Sequence, residues 1–452
     1  MTAADTIVAI ASAAGRGAVG IVRVSGPGVP RIAAEILGQL PSPRVATWSR
    51  FRDADGNSLD EGLALYFAAP ASFTGEEVLE LQGHGGVVVL DLIVARLLQL
   101  GCRAARAGEF SERAYCNGKI DLAQAEAVAD LIDAGTSAAA RAAVRSLQGE
   151  FSTRVNALQA QLTQLRIYVE AAIDFPDEEI EFLGDRARSD RLTRVFEAFD
   201  ALLAVAQQGA LLRDGLNVVI AGKPNAGKSS LLNRLVGDEV AIVTDLPGTT
   251  RDLLRHAVHL DGLPLNLIDT AGLRTAQDMA EAEGIRRATH EMGRADRVLY
   301  VVDAANPTEA AFSALAPQLA TLPPGVPVTI VFNKIDLVAI PSRLDETTTP
   351  AQLYLSARTG AGIDLLRSHL KKSAGFLDSG SGALSARRRH LDALRRSRDH
   401  ALKAADTLLE SRSPELFAED LRLAQRALGE ITGEFGSDDL LGEIFGSFCI
   451  GK

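Results

Sequence analysis

The stretch Gly222–Ser229, GKPNAGKS, has the glycines, lysine and serine of a phosphate-binding loop at the expected spacing. LNVVIAG ends at Gly222, the first glycine of this loop, and SLLNRLVG follows the loop, so we expect it between a strand and a helix. In such loops backbone N–H groups cradle phosphates, the Lys228 ammonium neutralises the β- and γ-phosphates, and the Ser229 hydroxyl ligates Mg²⁺. A chance glycine-rich turn is the alternative, and the flanking strand and helix disfavour it. The predicted contacts are Asn225, Ala226, Gly227, Lys228, Ser229 and Ser230, with Lys228 also predicted to be catalytic.

A second motif, DTAG, directly follows the apolar residues LNLI. A carboxylate at the end of a buried strand can hold Mg²⁺ through water, and the Gly272 N–H can meet the γ-phosphate of a nucleotide. The predicted contacts here are Asp269, Thr270, Ala271 and Gly272.

Two further motifs, NKID and SAR, predict which base is bound. Asp336 can accept both N–H groups on the edge of guanine, whereas adenine offers no such pair. Asn333 can bridge the base to the phosphate loop, and the stem of Lys334 can cover the ring. The backbone of Ser356, Ala357 and Arg358 is expected to close over the base oxygen. Together these motifs resemble a GTPase domain.

Leu273, the residue after DTAG, indicates that GTP hydrolysis in this domain does not rely on the usual water-orienting side chain and needs another catalytic feature. Many signalling GTPases place a water-orienting glutamine beside that glycine, and a leucine cannot orient water. Asn225 in the loop and the segment TDLPGTTRD resemble GTPases of the tRNA-modification and ribosome-assembly class, which implies K⁺ beside the β/γ bridge. For Asn225, plain loop solvation is the alternative. The implied K⁺ ligands are Asn225, Thr244, Leu246 and Thr249, Mg²⁺ would add Thr250, and the nucleotide contacts in this switch would be Thr244, Asp245, Leu246, Pro247, Gly248, Thr249 and Thr250.

The elements around these motifs predict a multidomain chain. Residues 1–118 mix strand and helix patterns, as in an α+β domain, and residues 119–214 are helical, with apolar side chains from Val144 to Val169 on one face of a long helix. Residues 215–371 alternate short apolar runs with helices, which predicts an inserted α/β P-loop GTPase domain with a mostly parallel sheet. Residues 372–452 begin with a linker, SAGFLDSGSGALS, and return to helix. One helical domain built from both flanks is the simplest interpretation, and two separate helical domains are the alternative.

The bulk composition excludes several classes of protein. A net charge of −11 over 452 residues excludes a nonspecific polyanion binder, although a local basic patch could still bind nucleic acid. The three cysteines are widely spaced and favour a reducing cytoplasm over a disulfide framework. No apolar run looks long enough to span a bilayer, and the N-terminus lacks an early basic region, so we expect neither a membrane segment nor a signal peptide.

Whole-chain motifs identify the family. ASFTGEEVLELQGHGG and RAARAGEFSERAYCNGKIDLAQAEAVADLIDA in the N-terminal part, with FCIGK at the end, resemble the tRNA-modification GTPase family known as MnmE or TrmE. The resemblance implies a homodimer, formed by an N-terminal domain similar to folate-dependent aminomethyl carriers, and a flavoprotein partner, MnmG (GidA), in a hetero-oligomer. It further implies modification of the wobble uridine of certain tRNAs at carbon 5. In the second switch it implies that Glu281 is catalytic through a second water, although in isolation Glu281 would be a solvated helix charge.

The same resemblance implies a site for a tetrahydrofolate derivative in its 5-formyl or methylene form. Arg23, Glu80 and Lys119 match family folate-binding positions. A carboxylate such as Glu80 can take paired N–H groups from a pterin edge, and cations suit the glutamate carboxylates of the cofactor. Without the resemblance these three residues would be interpreted as surface charges. His84, in QGHGG, has no paired ligand cluster nearby and is expected to have a structural role.

The terminal CIGK is predicted to be a functional tail near the folate site. Gly451 would allow a tight turn, Lys452 would pair with folate or substrate carboxyl groups, and Cys449 would attack a carbon or transfer a proton. The alternative is that Phe448 and Cys449 only fill a hydrophobic gap.

A basic run and two rival functions complete the expectations. ARRRHLDALRRSRDH, residues 386–400, could meet tRNA phosphates or could be a solvated helix face. A ribosome-assembly or RNA-chaperone GTPase would need an RNA-binding module, for which the sequence offers no convincing candidate. A folate-dependent aminomethyltransferase that acts alone would not need the flavoprotein.

Overall fold

The chain forms two compact units, which we describe separately. The computed structural model describes residues 5–174, 185–237, 255–269, 293, 295–306, 315, 319–320, 322, 324–376, 382–410, 414–434, 438–449 and 451. The first unit comprises residues 1–129, 146–195 and 393–452, and the second comprises residues 130–145 and 196–392.

The N-terminal part of the first unit is a six-stranded sheet with helices. The strands are β1 Ile7–Ile10, β2 Val19–Ser25, β3 Thr47–Arg52, β4 Ser58–Phe67, β5 Val78–His84 and β6 Arg103–Ala104, in the order β3-β4-β5-β2-β1-β6. Val22 and Val24 of β2 are fully buried against the helices Val29–Leu37 and Val87–Gln99, whereas Arg23 between them points to the opposite face, as strand alternation requires. This arrangement confirms the predicted α+β fold and adds β3 and β6, which the sequence analysis missed.

Helices complete the first unit. They are Glu109–Cys116, Glu150–Asp174, Pro414–Thr432 and Asp438–Gly446, while Leu122–Ile132, Ser137–Leu147, Asp185–Asp214 and Arg388–Glu410 run across the limits of the two units. Glu150–Asp174 packs against Pro414–Thr432, and the side chains at three-four spacing, such as Phe151, Leu162, Phe417 and Leu428, are at most 2% exposed. Helices from both sides of the α/β insertion therefore pack against each other in this unit.

The predicted long helix through Val144 and Val169 is wrong at one point. The chain forms two helices there, because Gly149 adopts a φ of 86° and ends the run between Leu147 and Glu150. Val144 accordingly lies on the earlier helix and is 37% exposed.

The second unit contains a seven-stranded sheet in the order β12-β13-β11-β10-β7-β9-β8. The strands are β7 Leu216–Gly222, β8 Arg255–Leu260, β9 Leu263–Asp269, β10 Arg297–Asp303, β11 Val328–Asn333, β12 Arg343–Asp345 and β13 Ala351–Tyr354. The five inner strands are parallel, as predicted, and β8 and β12 add antiparallel edges. Lys228–Gly237, Ile363–Ser373 and the short 3₁₀ turn Ile335–Leu337 carry or flank the predicted nucleotide motifs.

The end of the predicted linker is not a free segment. Leu384 is fully buried, and the Ser385 N–H donates to the Ala142 carbonyl oxygen at 3.3 Å. The buried Asp130 carboxylate accepts hydrogen bonds from Ser385 Oγ at 2.5 Å and from the guanidinium groups of Arg213 and Arg387, each at 2.8 Å. The predicted flexibility was therefore wrong for residues 382–386, because this buried carboxylate and these backbone contacts fix the chain there.

One described helical segment, Asp190–Asp214, is long and apolar enough to cross a membrane by composition, so the expectation that no such run exists was too strict. Helices in the core of a protein can have the same length and composition, and Phe199 and Ala206 within this helix are fully buried.

Candidate functional site

The phosphate loop joins β7 to the helix Lys228–Gly237, in the context that the sequence predicted. Gly222 has a φ of 138°, and a Cβ on it would lie 2.2 Å from the Val301 carbonyl oxygen. Asn225 adopts a φ of 62° and is exposed at the turn, while Ala226 is buried. The Lys228 ammonium lies over the loop and donates to the carbonyl oxygens of Gly222 at 3.0 Å and Lys223 at 2.8 Å. The lysine predicted to meet phosphates is thus held inside the curve of the loop.

The helix start supplies two further predicted contacts, the exposed Ser229 and Ser230. Since the first N–H groups of a helix have no partner within it, and the helix dipole is positive at this end, this position favours an anion. The loop geometry therefore fits a polyphosphate.

A buried amide links the predicted base-binding motifs to the phosphate loop. Asn333, 2% exposed, donates from Nδ2 to the Ala226 carbonyl oxygen at 3.0 Å and accepts at Oδ1 from the Ala357 N–H at 2.9 Å. A Cβ on Gly227, whose φ is 97°, would lie 2.2 Å from Asn333 Nδ2. Three segments far apart in sequence, the phosphate loop, NKID and SAR, are therefore brought together by one side chain.

The remaining base-pocket residues are placed by strand ends. Asp336 is exposed in the 3₁₀ turn after β11, and its Oδ1 accepts a 2.6 Å hydrogen bond from Ser356 Oγ. Lys334 adopts a φ of 68°, and its ammonium bonds Asp303 Oδ2 at 2.6 Å. Arg358 is exposed at the start of the following turn. The structure thus brings together the parts predicted to read guanine.

The sequence analysis missed Asp303 as the partner that anchors Lys334. Asp303 ends β10 directly opposite Asn333, the last residue of β11. An aspartate at the end of an apolar run, in RVLYVVD, was the available signal, because parallel strands end at the same edge of a sheet.

Several predicted residues lie outside the described residues or their described side chains. Only the backbone of Asp269 is described, at the end of β9 beside β7. The residues outside the description are Thr244, Asp245, Leu246, Pro247, Gly248, Thr249, Thr250, Thr270, Ala271, Gly272, Glu281 and Lys452. Their roles stay predictions.

In the N-terminal domain, two of the predicted folate residues form an ion pair. Arg23 on β2 lies opposite Glu80 on β5, and its Nε and Nη2 approach Glu80 Oε1 at 2.9 Å and 2.8 Å. Both contacts use the same oxygen, Oε1, of this partly buried carboxylate. The Arg23 guanidinium lies 5.8 Å from the centre of the Phe110 ring. Lys119 is separate from this pair and donates to the Pro70 carbonyl oxygen at 3.0 Å.

His84, at the end of β5, has the structural contact expected for it. Its N–H and ring Nδ1 both meet the Asp60 carboxylate at 2.8 Å. The hydrogen bond to Asp60 raises the pKa of His84 above its ordinary value of 6.5. No cluster of metal-ligating side chains occurs among the described residues.

A network of charges holds the segment that leads to Lys119. Glu109, 2% exposed, bonds the guanidinium groups of Arg103 at 2.6 Å and Arg113 at 3.1 Å. The Arg103 hydrogen bond counters burial, and the pKa of Glu109 lies below its ordinary value. The helix Glu109–Cys116 is therefore fixed against the sheet by paired charges.

The C-terminal tail lies against the N-terminal domain. Phe448, 6% exposed, packs with Phe445, whose ring centre is 5.5 Å away, in a cluster that includes Leu122 and Ala125. The exposed Cys449 accepts a 3.4 Å hydrogen bond at its carbonyl oxygen from the Gly108 N–H. The structure therefore shows the hydrophobic packing of Phe448 while leaving Cys449 at the surface.

Comparisons with known proteins agree with this organisation. The model of the GTP-binding protein TrmE N-terminus matches residues 6–119, and the model of the MnmE helical domain matches residues 122–449. Proteins named tRNA modification GTPase MnmE from Pectobacterium carotovorum subsp. carotovorum (strain PC1) and from Yersinia pestis bv. Antiqua (strain Angola) are each 56% identical, over 100% of both chains. A solved G domain of the T. maritima FeoB iron transporter is 27% identical, with a TM-score of 0.27, and the match covers 35% of this chain and 98% of the FeoB chain.

Proposed function

Because this chain belongs to the MnmE family of tRNA modification GTPases, we propose that its GTP hydrolysis drives modification of a wobble uridine. The product carries an aminomethyl-type group, carboxymethylaminomethyl, on carbon 5 of the uridine. A tetrahydrofolate derivative supplies the one-carbon unit that is added there. The chain works as a cytoplasmic homodimer with the flavoprotein partner MnmG.

The nucleotide part of the proposal rests on the linked motifs. Asn333 holds the phosphate loop and the SAR segment together, and the exposed Asp336 bonds the Ser356 hydroxyl of that same segment. Ser229, Thr250 and Asp269 would hold Mg²⁺, which neutralises phosphate charge when bound. Asn225, exposed at the turn of the loop, is suited to a K⁺ ion, which supplies positive charge where an arginine acts in other GTPases.

The observation that supports the proposed modification chemistry is the position of the C-terminal tail on the N-terminal domain. Cys449 meets Gly108 at its backbone, and Phe110, two residues further along, lies under the guanidinium of Arg23. The only thiol of the tail is thus on the same part of the N-terminal domain as the Arg23–Glu80 pair. Glu80 Oε2 can accept an N–H from a pterin edge, and full pairing with that edge requires Arg23 to release Oε1.

The test is mass spectrometry of wobble nucleosides from a deletion strain complemented with variants. We expect the deletion to lose the modified uridine and wild type to restore it. Cys449→Ser should fail to restore it while its GTP turnover and dimer stay normal. Cys116→Ser, a change at another exposed thiol, is the matched control and should restore modification.

Two results would contradict the proposal. Full modification by Cys449→Ser would exclude a chemical role for the thiol and leave it a packing residue beside Phe448. Modification by purified protein without the flavoprotein would favour the aminomethyltransferase that acts alone.

A further inference from the structure

We propose that two glycines, Gly108 and Gly451, fix the position of Cys449 because each lies against the backbone of another segment. We call each glycine and the backbone that it contacts a seat. The proposal deepens the proposed function, on which it rests, since it concerns the same thiol. It assigns both glycines as positioning residues for tRNA modification with no part in GTP hydrolysis.

The first seat lies just before the helix Glu109–Cys116. Gly108 has a φ of 64°, and a Cβ on it would lie 2.5 Å from the Phe445 carbonyl oxygen and 3.1 Å from Phe448 Cβ. Real Cβ atoms essentially never approach backbone as closely as 2.5 Å, so this position accepts the tail only without a side chain. The Gly108 N–H, on the same residue, reaches the Cys449 carbonyl oxygen.

The Gly108 seat is itself rigid. The next residue, Glu109, is buried among the guanidinium groups of Arg103 and Arg113, and its carboxylate also accepts the Arg106 N–H at 2.7 Å. Because these charges hold the start of the helix, a clash at Gly108 cannot be relieved by moving the helix, and the tail must move.

The second seat lies two residues beyond Cys449. Gly451 has a φ of 97°, and a Cβ on it would lie 2.3 Å from the Ile10 carbonyl oxygen and 3.3 Å from Ala11 Cα. Ile10 ends β1, and its neighbour Ala9 lies directly opposite Arg23 on β2. Gly451 therefore lies against the backbone of β1, beside the strand that carries Arg23.

The two contacts bracket the thiol. On one side of Cys449 is Gly108, which precedes the helix that places Phe110 against Arg23. On the other side is β1, which pairs with the strand that carries Arg23. Backbone contacts on both sides leave the Cys449 side chain little freedom to shift along the tail. Since a displacement of about 1 Å can lower a rate by about a hundredfold, this seating sets the reach of the thiol.

The most direct test replaces Gly451 by L-alanine or by D-alanine. The chain 1–448 is made as a thioester and joined at Cys449 to a synthetic Cys-Ile-Xaa-Lys peptide, with Xaa as glycine, L-alanine or D-alanine. A positive φ is favourable for a D-residue, whose Cβ points away from the direction that the Cβ of an L-residue takes, so D-alanine avoids both the strain and the Ile10 clash. We expect L-alanine to lower the kcat of modification by about a hundredfold, with the KM for GTP unchanged, and D-alanine to restore most of it.

A second measurement follows the thiol itself. Alkylation is followed peptide by peptide, with the exposed Cys116 as internal reference. We expect Gly108→Ala and the L-alanine protein to change the alkylation rate of Cys449 relative to Cys116. Gly446→Ala is the matched control, because Gly446 is exposed and its Cβ would meet nothing within 4 Å, so it should change neither quantity.

The outcomes separate the two proposals. If L-alanine and D-alanine at 451 both support wild-type modification while Cys449→Ser abolishes it, the seats are refuted and the thiol role stands. If Cys449→Ser modifies tRNA normally, the proposed function of the thiol fails first. If Gly108→Ala does not fold, the ligated proteins alone test the proposal. An equal loss of tRNA modification with L-alanine and with D-alanine at position 451 would also refute it, because the Ile10 contact excludes only the L-residue.

Discussion

Replacing Asp336 with asparagine should change the base that the protein binds. In the structure Asp336 Oδ1 accepts the Ser356 hydroxyl at 2.6 Å. Asparagine can keep that acceptor, so the fold of the SAR segment should survive the change. The other oxygen becomes an NH₂ donor, which opposes a guanine N–H but can donate to the 2-oxygen of xanthine.

The magnitude follows from the charged hydrogen bond that is lost. One hydrogen bond to a charged group contributes about 1.5–3 kcal/mol, and an opposed donor adds a desolvation cost of about 1–3 kcal/mol. We therefore expect GTP to bind about a hundredfold more weakly or worse, at about 1.4 kcal/mol for each factor of ten. Xanthosine triphosphate should bind more tightly than GTP.

The assay is competition of GTP, XTP and ATP against a fluorescent guanine or xanthine nucleotide. Asp364→Asn, at an exposed aspartate in the first turn of the helix Ile363–Ser373, is the matched control and should keep the preference for GTP. If Asp336→Asn still prefers GTP as strongly as wild type, Asp336 does not read the base and the assignment of NKID is wrong.

Three other perturbations test separate parts of the molecule. Asn225→Ala should remove activation of GTP turnover by K⁺ over Na⁺ while nucleotide binding persists, and equal wild-type turnover in both salts would reject the K⁺ site. Asp130→Ala should destabilise its unit by about 3 kcal/mol, because it removes the buried carboxylate that accepts hydrogen bonds from Ser385, Arg213 and Arg387, whereas exposed Asp133→Ala should change its thermal unfolding little. His84 should titrate by NMR above its ordinary pKa of 6.5, so the stabilisation from its Asp60 pair is complete below pH 6.5 and is lost as pH rises through the raised pKa; an unchanged midpoint in Asp60→Asn would reject the pairing.

The sequence predicted the parallel strands well because each is a short apolar run. LNVVIAG corresponds residue for residue to β7, whereas only the first six residues of the predicted run VTIVFNKID form β11. It missed the edges β8 and β12, since RHAVHL and RLD carry charged or polar residues that an edge strand tolerates. The helix break at Gly149 was also missed, because apolar spacing continues through it and a single glycine does not reveal its φ.

The composition of the predicted linker was misleading for a related reason. Small residues such as those of SGSGALS are typical of flexible chain, yet they also permit close packing. Gly209, on the helix Asp185–Asp214, shows this, because a Cβ there would lie 1.7 Å from the Leu384 carbonyl oxygen. Sequence composition reports how little side chain is present, and only the fold shows whether another backbone uses the space.

The same limit explains what could be predicted of the sites. The sequence motifs identified Asn333, Asp336 and Lys228 because each motif is a short contiguous segment whose residues can be recognised without the fold. They could not show that Asn333 Nδ2 fills the place that a Cβ on Gly227 would take, since the two residues are far apart in sequence and meet only when β11 lies in the sheet. Gly227 and Asn333 therefore depend on each other. Because Gly227 has no side chain, the Asn333 amide can occupy that space and donate to the Ala226 carbonyl oxygen. A larger residue at Gly227 would displace the amide, and with it the Ala357 N–H that the same amide holds, so damage to the phosphate loop must reach the base pocket.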